Sequence, residues 1–259
     1  MREKRFCLWG KRQVACILLL LFVAAIAVVV LAAVIPYAYA SLTVSAARQM
    51  PIYCTDRSDK AVALTFDAAW GDEDAAAVLD ILAAHNATAT FFVTGDWAAR
   101  CEDTVQALTA AGQELAAGGD GYLNLTSLTR EQQRYQVTAC SDRLRALTGV
   151  SPTLFRAPYG DFNDSLMAVL GEQGLTGIQW DVDSLDWRDA SADAIAARVL
   201  TGVSSGSILR FRLDAAHTVE ALPDILTALE AEGYRFLPVS ALIAADSYTV
   251  NHEGRQIRR

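Results

Sequence analysis

The stretch Ala61-Val62-Ala63-Leu64-Thr65-Phe66-Asp67 is a short apolar run that ends on a carboxylate. Residues 61–66 read as a buried β-strand, because a short, nearly all-apolar run suits a strand with both faces covered. Similar runs recur at 88–93, 113–117, 154–156, 176–180, 207–211 and 235–238, which makes seven strand candidates. Helix signals lie between them. Thr129-Arg130-Glu131-Gln132 is a capping box, in which the Thr hydroxyl and the Gln amide each satisfy a free backbone donor. Other helices are expected to begin near Asp72, Asn163, Ser191 and Thr218, and to stop at Gly112, Gly149, Gly174 and Gly233. Strands and helices alternating over about 200 residues imply a parallel sheet covered by helices, either closed as a barrel or open and doubly wound.

In both architectures, function collects at the carboxyl ends of the strands. Polar residues gather there. Asp67 follows the first strand, Arg156-Ala157-Pro158-Tyr159-Gly160 the fourth, and Asp181-Val182-Asp183-Ser184-Leu185-Asp186-Trp187 the fifth, while Arg210-Phe211-Arg212 ends the sixth. No glycine-rich phosphate loop follows the first strand, which argues against nucleotide binding.

Of the 259 residues, 53% are hydrophobic and 20% charged, a composition that excludes a disordered chain. Residues 1–40 carry five basic groups and one acidic group, so a net charge of −8 leaves −12 on the remainder. Such an acidic surface argues against a nucleic-acid partner. The basic N-terminus precedes an uncharged run from Val14 to Ala40. About 20 apolar residues span a bilayer, whereas the core of a signal peptide has about 7 to 15. The expected organisation is a cytoplasmic segment 1–13, a transmembrane signal anchor 14–37, a linker 38–60, an α/β domain 61–244 and a tail 245–259. The positive-inside rule then puts the protein in the cell membrane as a single-pass chain with its domain outside. Ala38-Tyr39-Ala40 offers the alternative, cleavage after Ala40. Cys7 and Cys16 fall near or within the anchor. Cys54, Cys101 and Cys140 fall beyond it, either with one disulfide among them or as buried thiols.

Four segments in order resemble the motifs of the polysaccharide deacetylases with a NodB homology domain, carbohydrate esterase family 4. They are Leu64-Thr65-Phe66-Asp67, Thr90-Phe91-Phe92-Val93, Phe155-Arg156-Ala157-Pro158-Tyr159-Gly160 and Asp183-Ser184-Leu185-Asp186-Trp187, within a likeness from about Ala61 to Ile243. The variant Thr65 to Gly71 is similar to the branch of spore-forming bacteria. The resemblance implies a distorted (β/α)₇ barrel and removal of acetyl groups from N-acetylated amino sugars. It also implies a divalent metal such as zinc, an Asp base and a His acid. Asp67 matches the base, Arg156 the group that steers it, and Asp186 the group that orients the His.

The same comparison places Ala68, Gly118 and Tyr122 at the metal-ligand positions and Arg212 at the position of the catalytic His. Glycine donates nothing, a phenol with a pKa of about 10 is a poor ligand, and arginine keeps its proton. His85, His217 and His252 match no motif, and His217 is the one placed to visit the pocket mouth. Asp120 reads as a turn residue or a weak metal partner for Asp67. No cofactor is therefore expected. Arg212 is expected to form an ion pair with Asp186, and Trp70, Tyr159, Trp180 and Trp187 to offer rings to a sugar or to pack the barrel mouth. Two functions remain open. The first is a degenerate deacetylase-like protein that binds a cell-wall or spore-wall glycan or serves as a structural partner; the second is a hydrolase still using Asp67 as base.

Overall fold

The strand expected at 61–66 runs from Ala61 to Ala68, and all eight of its residues are buried. In the computed structural model, which describes residues 21, 23–25 and 49–258, it is the second strand of the fold. Four positions apart, the expected cytoplasmic segment and signal anchor, with Cys7 and Cys16, lie outside the described residues.

The chain runs β1 (Cys54–Thr55), β2 (Ala61–Ala68), α1 (Ala75–Ala84), β3 (Ala89–Val93), α2 (Gly95–Arg100), α3 (Glu102–Ala110) and β4 (Glu114–Ala117). It continues through α4 (Arg130–Thr148), β5 (Leu154–Phe155), α5 (Asp164–Glu172), β6 (Thr176–Gly177), β7 (Val182–Asp183), α6 (Ala192–Gly202) and β8 (Ile208–Arg212). Last come α7 (Thr218–Ala231), β9 (Arg235–Phe236), α8 (Val239–Leu242), β10 (Tyr248–Val250) and β11 (Arg255–Arg258). The main sheet pairs in the order β6-β5-β4-β3-β2-β8-β7, with β9 added against β2, and every pairing in it is parallel. It curls into a partial barrel of the (β/α)₇ type.

Strand alternation sorts the residues of β2 between two cores. Val62, Leu64 and Phe66 pack outward beneath the helices. Ala61 and Ala63 pack inward with Phe92, Leu154 and Ile208, so Thr65 and Asp67 also face the barrel interior. Helix starts follow the sequence signals. Thr129 and Gln132 close the capping box, Asn163 caps α5 and Ser191 caps α6. Gly149 ends α4 at φ 75°, a left-handed conformation that needs no Cβ.

Some elements differ from the sequence reading. The strands expected at 154–156, 176–180 and 235–238 are each only two residues long: after the first two the chain leaves the ladder to bring Arg156 and Trp180 to the site, and after the third it turns at Pro238 into α8. Strands β1 and β7 are too short to leave a periodic signal. The segment read as a tail forms the antiparallel pair β10-β11, and β11 pairs with β1 from the stretch read as linker. Cys54, Cys101 and Cys140 are free thiols, and burial pushes Cys54 up to about 11 and Cys140 to about 12.

Candidate functional site

Asp67 ends the inward row of β2, and two elements deliver cations to it. Arg156, just past β5, donates from Nη1 to Asp67 Oδ1 at 2.9 Å and to Thr65 Oγ1 at 2.8 Å. Its Nη2 donates to the Gln179 carbonyl at 3.1 Å. Arg210, inward on β8, donates from Nε to Asp67 Oδ2 at 2.7 Å and from Nη1 to Asp183 Oδ2 at 3.2 Å. The charges alternate: Arg156, Asp67, Arg210, Asp183. Asp67 is 6% and Arg156 2% exposed, so the chain of charges is inside the protein. Phe92 lies 3.9 Å from the Arg156 guanidinium, and Trp180 4.3 Å from that of Arg210. Burial pushes the Asp67 carboxyl up, but attraction to Arg156 and Arg210 outweighs it and holds the carboxyl below the ordinary range.

Ala68, Gly118, Tyr122, Arg156 and Pro158 share with Asp67 the walls of a cavity of about 10 Å³. That is roughly the room one water needs. The structure thus brings together the three positions where the resemblance implies metal ligands, but they offer a methyl, a hydrogen and a phenol. Asp67, the remaining carboxylate, has a guanidinium on each oxygen. This donor set does not fit a divalent metal. Among the described residues, no group of three or more His, Cys, Asp or Glu is placed to hold one. Asp120 sits 3.3 Å from Arg143 rather than facing Asp67. His217 turns to Glu220 at 3.3 Å, and His85 lies 3.0 Å from Glu230.

Tyr122 fills the mouth. Its hydroxyl accepts from the Tyr159 backbone N–H at 3.4 Å, and its ring lies 4.4 Å from Trp70 and 4.7 Å from Tyr159. Tyr159 itself holds φ 61°, strained for a bulky residue, and is 64% exposed. Trp70 and Trp187 are also exposed. Trp180 instead packs against the arginines below the rim.

The expected ion pair between Arg212 and Asp186 does not form. Arg212 sends its guanidinium to Asp214, with Nη2 2.7 Å from Oδ2, and lies 3.9 Å from the Trp70 ring. Asp214, two residues on, offers both oxygens to the arginine, whereas Asp186 is already held by neutral donors. These are the Arg212 backbone N–H at 2.8 Å and the Thr218 hydroxyl at 2.7 Å, both on Asp186 Oδ2. Asp186 Oδ1 is buried without a hydrogen-bond partner, and burial pushes this carboxyl above its ordinary range. Asp186→Ala should therefore cost about 1 to 3 kcal/mol, the value of stranded neutral donors rather than of a broken ion pair. Asp186→Asn, which keeps an acceptor and removes the buried charge, should stay within about 1 kcal/mol of the natural chain in urea unfolding at neutral pH. A loss from Asn as large as that from Ala would show that the charge itself is needed.

Sequence reasoning passed over Arg210. The signal was there: a strand has period two, so Arg210 shares the inward face of Ile208, and a cation there demands a buried anion.

A family model described as polysaccharide deacetylase matches residues 55–178. The peptidoglycan-N-acetylglucosamine deacetylase of Bacillus cereus is 32% identical over 185 residues, covering 70% of this chain and 67% of that protein. The peptidoglycan-N-acetylglucosamine deacetylase PgdA of Listeria monocytogenes is 31% identical over 72% of this chain, which spans only 39% of that longer protein. Among solved structures, a CE4 family pseudoenzyme from Bacillus anthracis is similar at a TM-score of 0.72 and 29% identity, covering 74% of this chain and 68% of that one. A mutant of a CE4 family pseudoenzyme "with restored enzymatic activity" also gives a TM-score of 0.72, at 30% identity over 74% of this chain and 70% of that one.

Proposed function

The chain belongs to the polysaccharide deacetylase family, and from that premise we propose that it is a catalytically silent member that recognises cell-wall or spore-wall glycan. One observation carries the reading: both oxygens of Asp67 are held by guanidiniums in a water-sized cavity whose other walls include Ala68, Gly118 and Tyr122. A base needs a free oxygen and room for water, and metal-assisted hydrolysis needs ligands. On this reading the domain works without zinc. The relatives named for peptidoglycan-N-acetylglucosamine suggest an N-acetylated amino-sugar polymer as the ligand. Exposed Tyr159, Trp70 and Trp187 supply rings for it at the rim. The uncharged run after the basic N-terminus supports a membrane anchor with the domain on the outer side.

The names of those relatives also favour a second reading, in which Asp67 still serves as base for N-acetyl hydrolysis. One experiment separates the two. The full chain should stay in the membrane fraction after a high-salt wash, co-sediment with purified peptidoglycan, and release no acetate from it. Tyr159→Ala should weaken sedimentation about tenfold, the order of one lost ring contact at a binding site. Acetate release by the natural chain would favour the hydrolase, and unchanged sedimentation of Tyr159→Ala would remove the rim from the binding surface.

A further inference from the structure

Building on the reading of a silent site, we infer that Arg210 is the residue that disarms Asp67. Arg156 by itself leaves the carboxylate half open, because its guanidinium is committed to Asp67 Oδ1, Thr65 Oγ1 and the Gln179 carbonyl. Asp67 Oδ2 is the oxygen that remains. Arg210 covers it at 2.7 Å. The arginine is fixed there from three sides: Asp67 on Nε, Asp183 on Nη1 and the Trp180 ring 4.3 Å from its guanidinium. It is 8% exposed, so it has little room to swing aside for an incoming ligand.

Two consequences follow for the chemistry of the pocket. Water reaching Asp67 finds no unshared oxygen to take its proton. A cation reaching Asp67 meets two guanidiniums in a poorly solvated site, where like charges repel more strongly than in water. The missing donors at Ala68, Gly118 and Tyr122 are thus only part of the silencing. Putting the donors back leaves Arg210 on the carboxylate. Arg210 and Arg212 lie on the same strand and do different things, since Arg212 pairs with Asp214 and stays clear of Asp67. Arg210 is a positioning residue that acts through Asp67, and removing it strands no anion: Asp183 is partly exposed and still accepts from the Leu185 N–H at 3.0 Å.

The test compares rebuilt versions of the full chain. One carries Ala68→Asp, Gly118→His, Tyr122→His and Arg212→His; a second adds Arg210→Met; a third adds Arg210→Gln, which keeps a neutral donor. Zinc chloride is titrated into each by calorimetry, with circular dichroism as the check on folding, and acetate release from an N-acetylated chitin oligomer is followed in parallel. Gly118→His is tight in every version, because a Cβ there meets the Val93 carbonyl oxygen at 3.2 Å, so its effect cancels in the comparison. The Arg210→Met version should bind zinc at least about tenfold more tightly than the version that keeps Arg210, because the cation no longer faces a second guanidinium. Acetate release should appear or rise with it. Equal zinc affinity with and without Arg210 would overturn the inference and leave the silent-site reading standing. Acetate release by the natural chain would instead sink that reading. If the Arg210→Met version fails to fold, Arg210→Gln decides by the same comparison.

Discussion

Replacing Asp67 with alanine should lower the unfolding free energy by about 3 to 5 kcal/mol, because it removes the carboxylate that two buried guanidiniums share. Arg156 suffers most. Among the described residues it has no other salt bridge, and its remaining partners, Thr65 and the Gln179 carbonyl, are neutral. Arg210 keeps Asp183 at 3.2 Å. Adding Arg210→Met to Asp67→Ala should then recover at least about 1 kcal/mol relative to the sum of the single changes, since contacting charges do not add. Urea unfolding of the four chains measures this directly. A loss below about 1 kcal/mol for Asp67→Ala would mean that solvent or a rearranged partner takes over from the carboxylate.

The acid response follows from the same groups. Asp67 has a folded value below its ordinary one, so its contribution is complete above about pH 3.9 and is lost as the pH falls through the lower folded value. Asp186 runs the other way. Burial holds it above the ordinary range, so it costs stability while ionised, and the cost is relieved as the pH falls through its raised value. The natural chain should therefore melt at a higher temperature as the pH falls toward the ordinary carboxylate range, and lose stability below it. Asp67→Ala should keep the rise and lose its share of the fall.

The alternation of strands and helices was legible from signals confined to short stretches, a buried run and a capping box, whereas the barrel type and the meeting of Asp67 with Arg156 followed only from the resemblance of a few motifs to the polysaccharide deacetylases. What was not legible depends on partners distant in sequence. Arg212 and Asp186 look like a pair in alignment, yet a carboxylate two residues away, Asp214, captures the arginine first. Arg210 lay in plain view, but its role appears only when the parallel register sets β8 beside β2 and turns both inward rows toward one axis. The pairing of β11 with β1 was equally hidden, because residues 54–55 and 255–256 are joined by the fold and by nothing in their local pattern.

Phe66→Ala should be as costly as the loss of Asp67, about 3 to 5 kcal/mol, and for an unrelated reason. Phe66 is fully buried on the outer face of β2, and its ring stacks on Phe91 at 5.0 Å and on Phe211 at 5.6 Å. The three rings sit on register partners across β3, β2 and β8, so they form one row beneath the helices. Each stacked pair adds about 0.5 to 1.5 kcal/mol beyond the area it buries. Alanine opens a hole at the most extensively paired strand, where backbone hydrogen bonds on both sides resist collapse into it. Phe66→Leu keeps most of the volume and loses only the stacking, so it should cost less than half as much in the same urea experiment. The comparison also reads on the site, because Phe66 and Asp67 are adjacent residues pointing to opposite faces. If Phe66→Leu leaves zinc affinity of the rebuilt chain unchanged while Phe66→Ala lowers it, the outer core is what holds the backbone of Asp67 in register with Arg156 and Arg210.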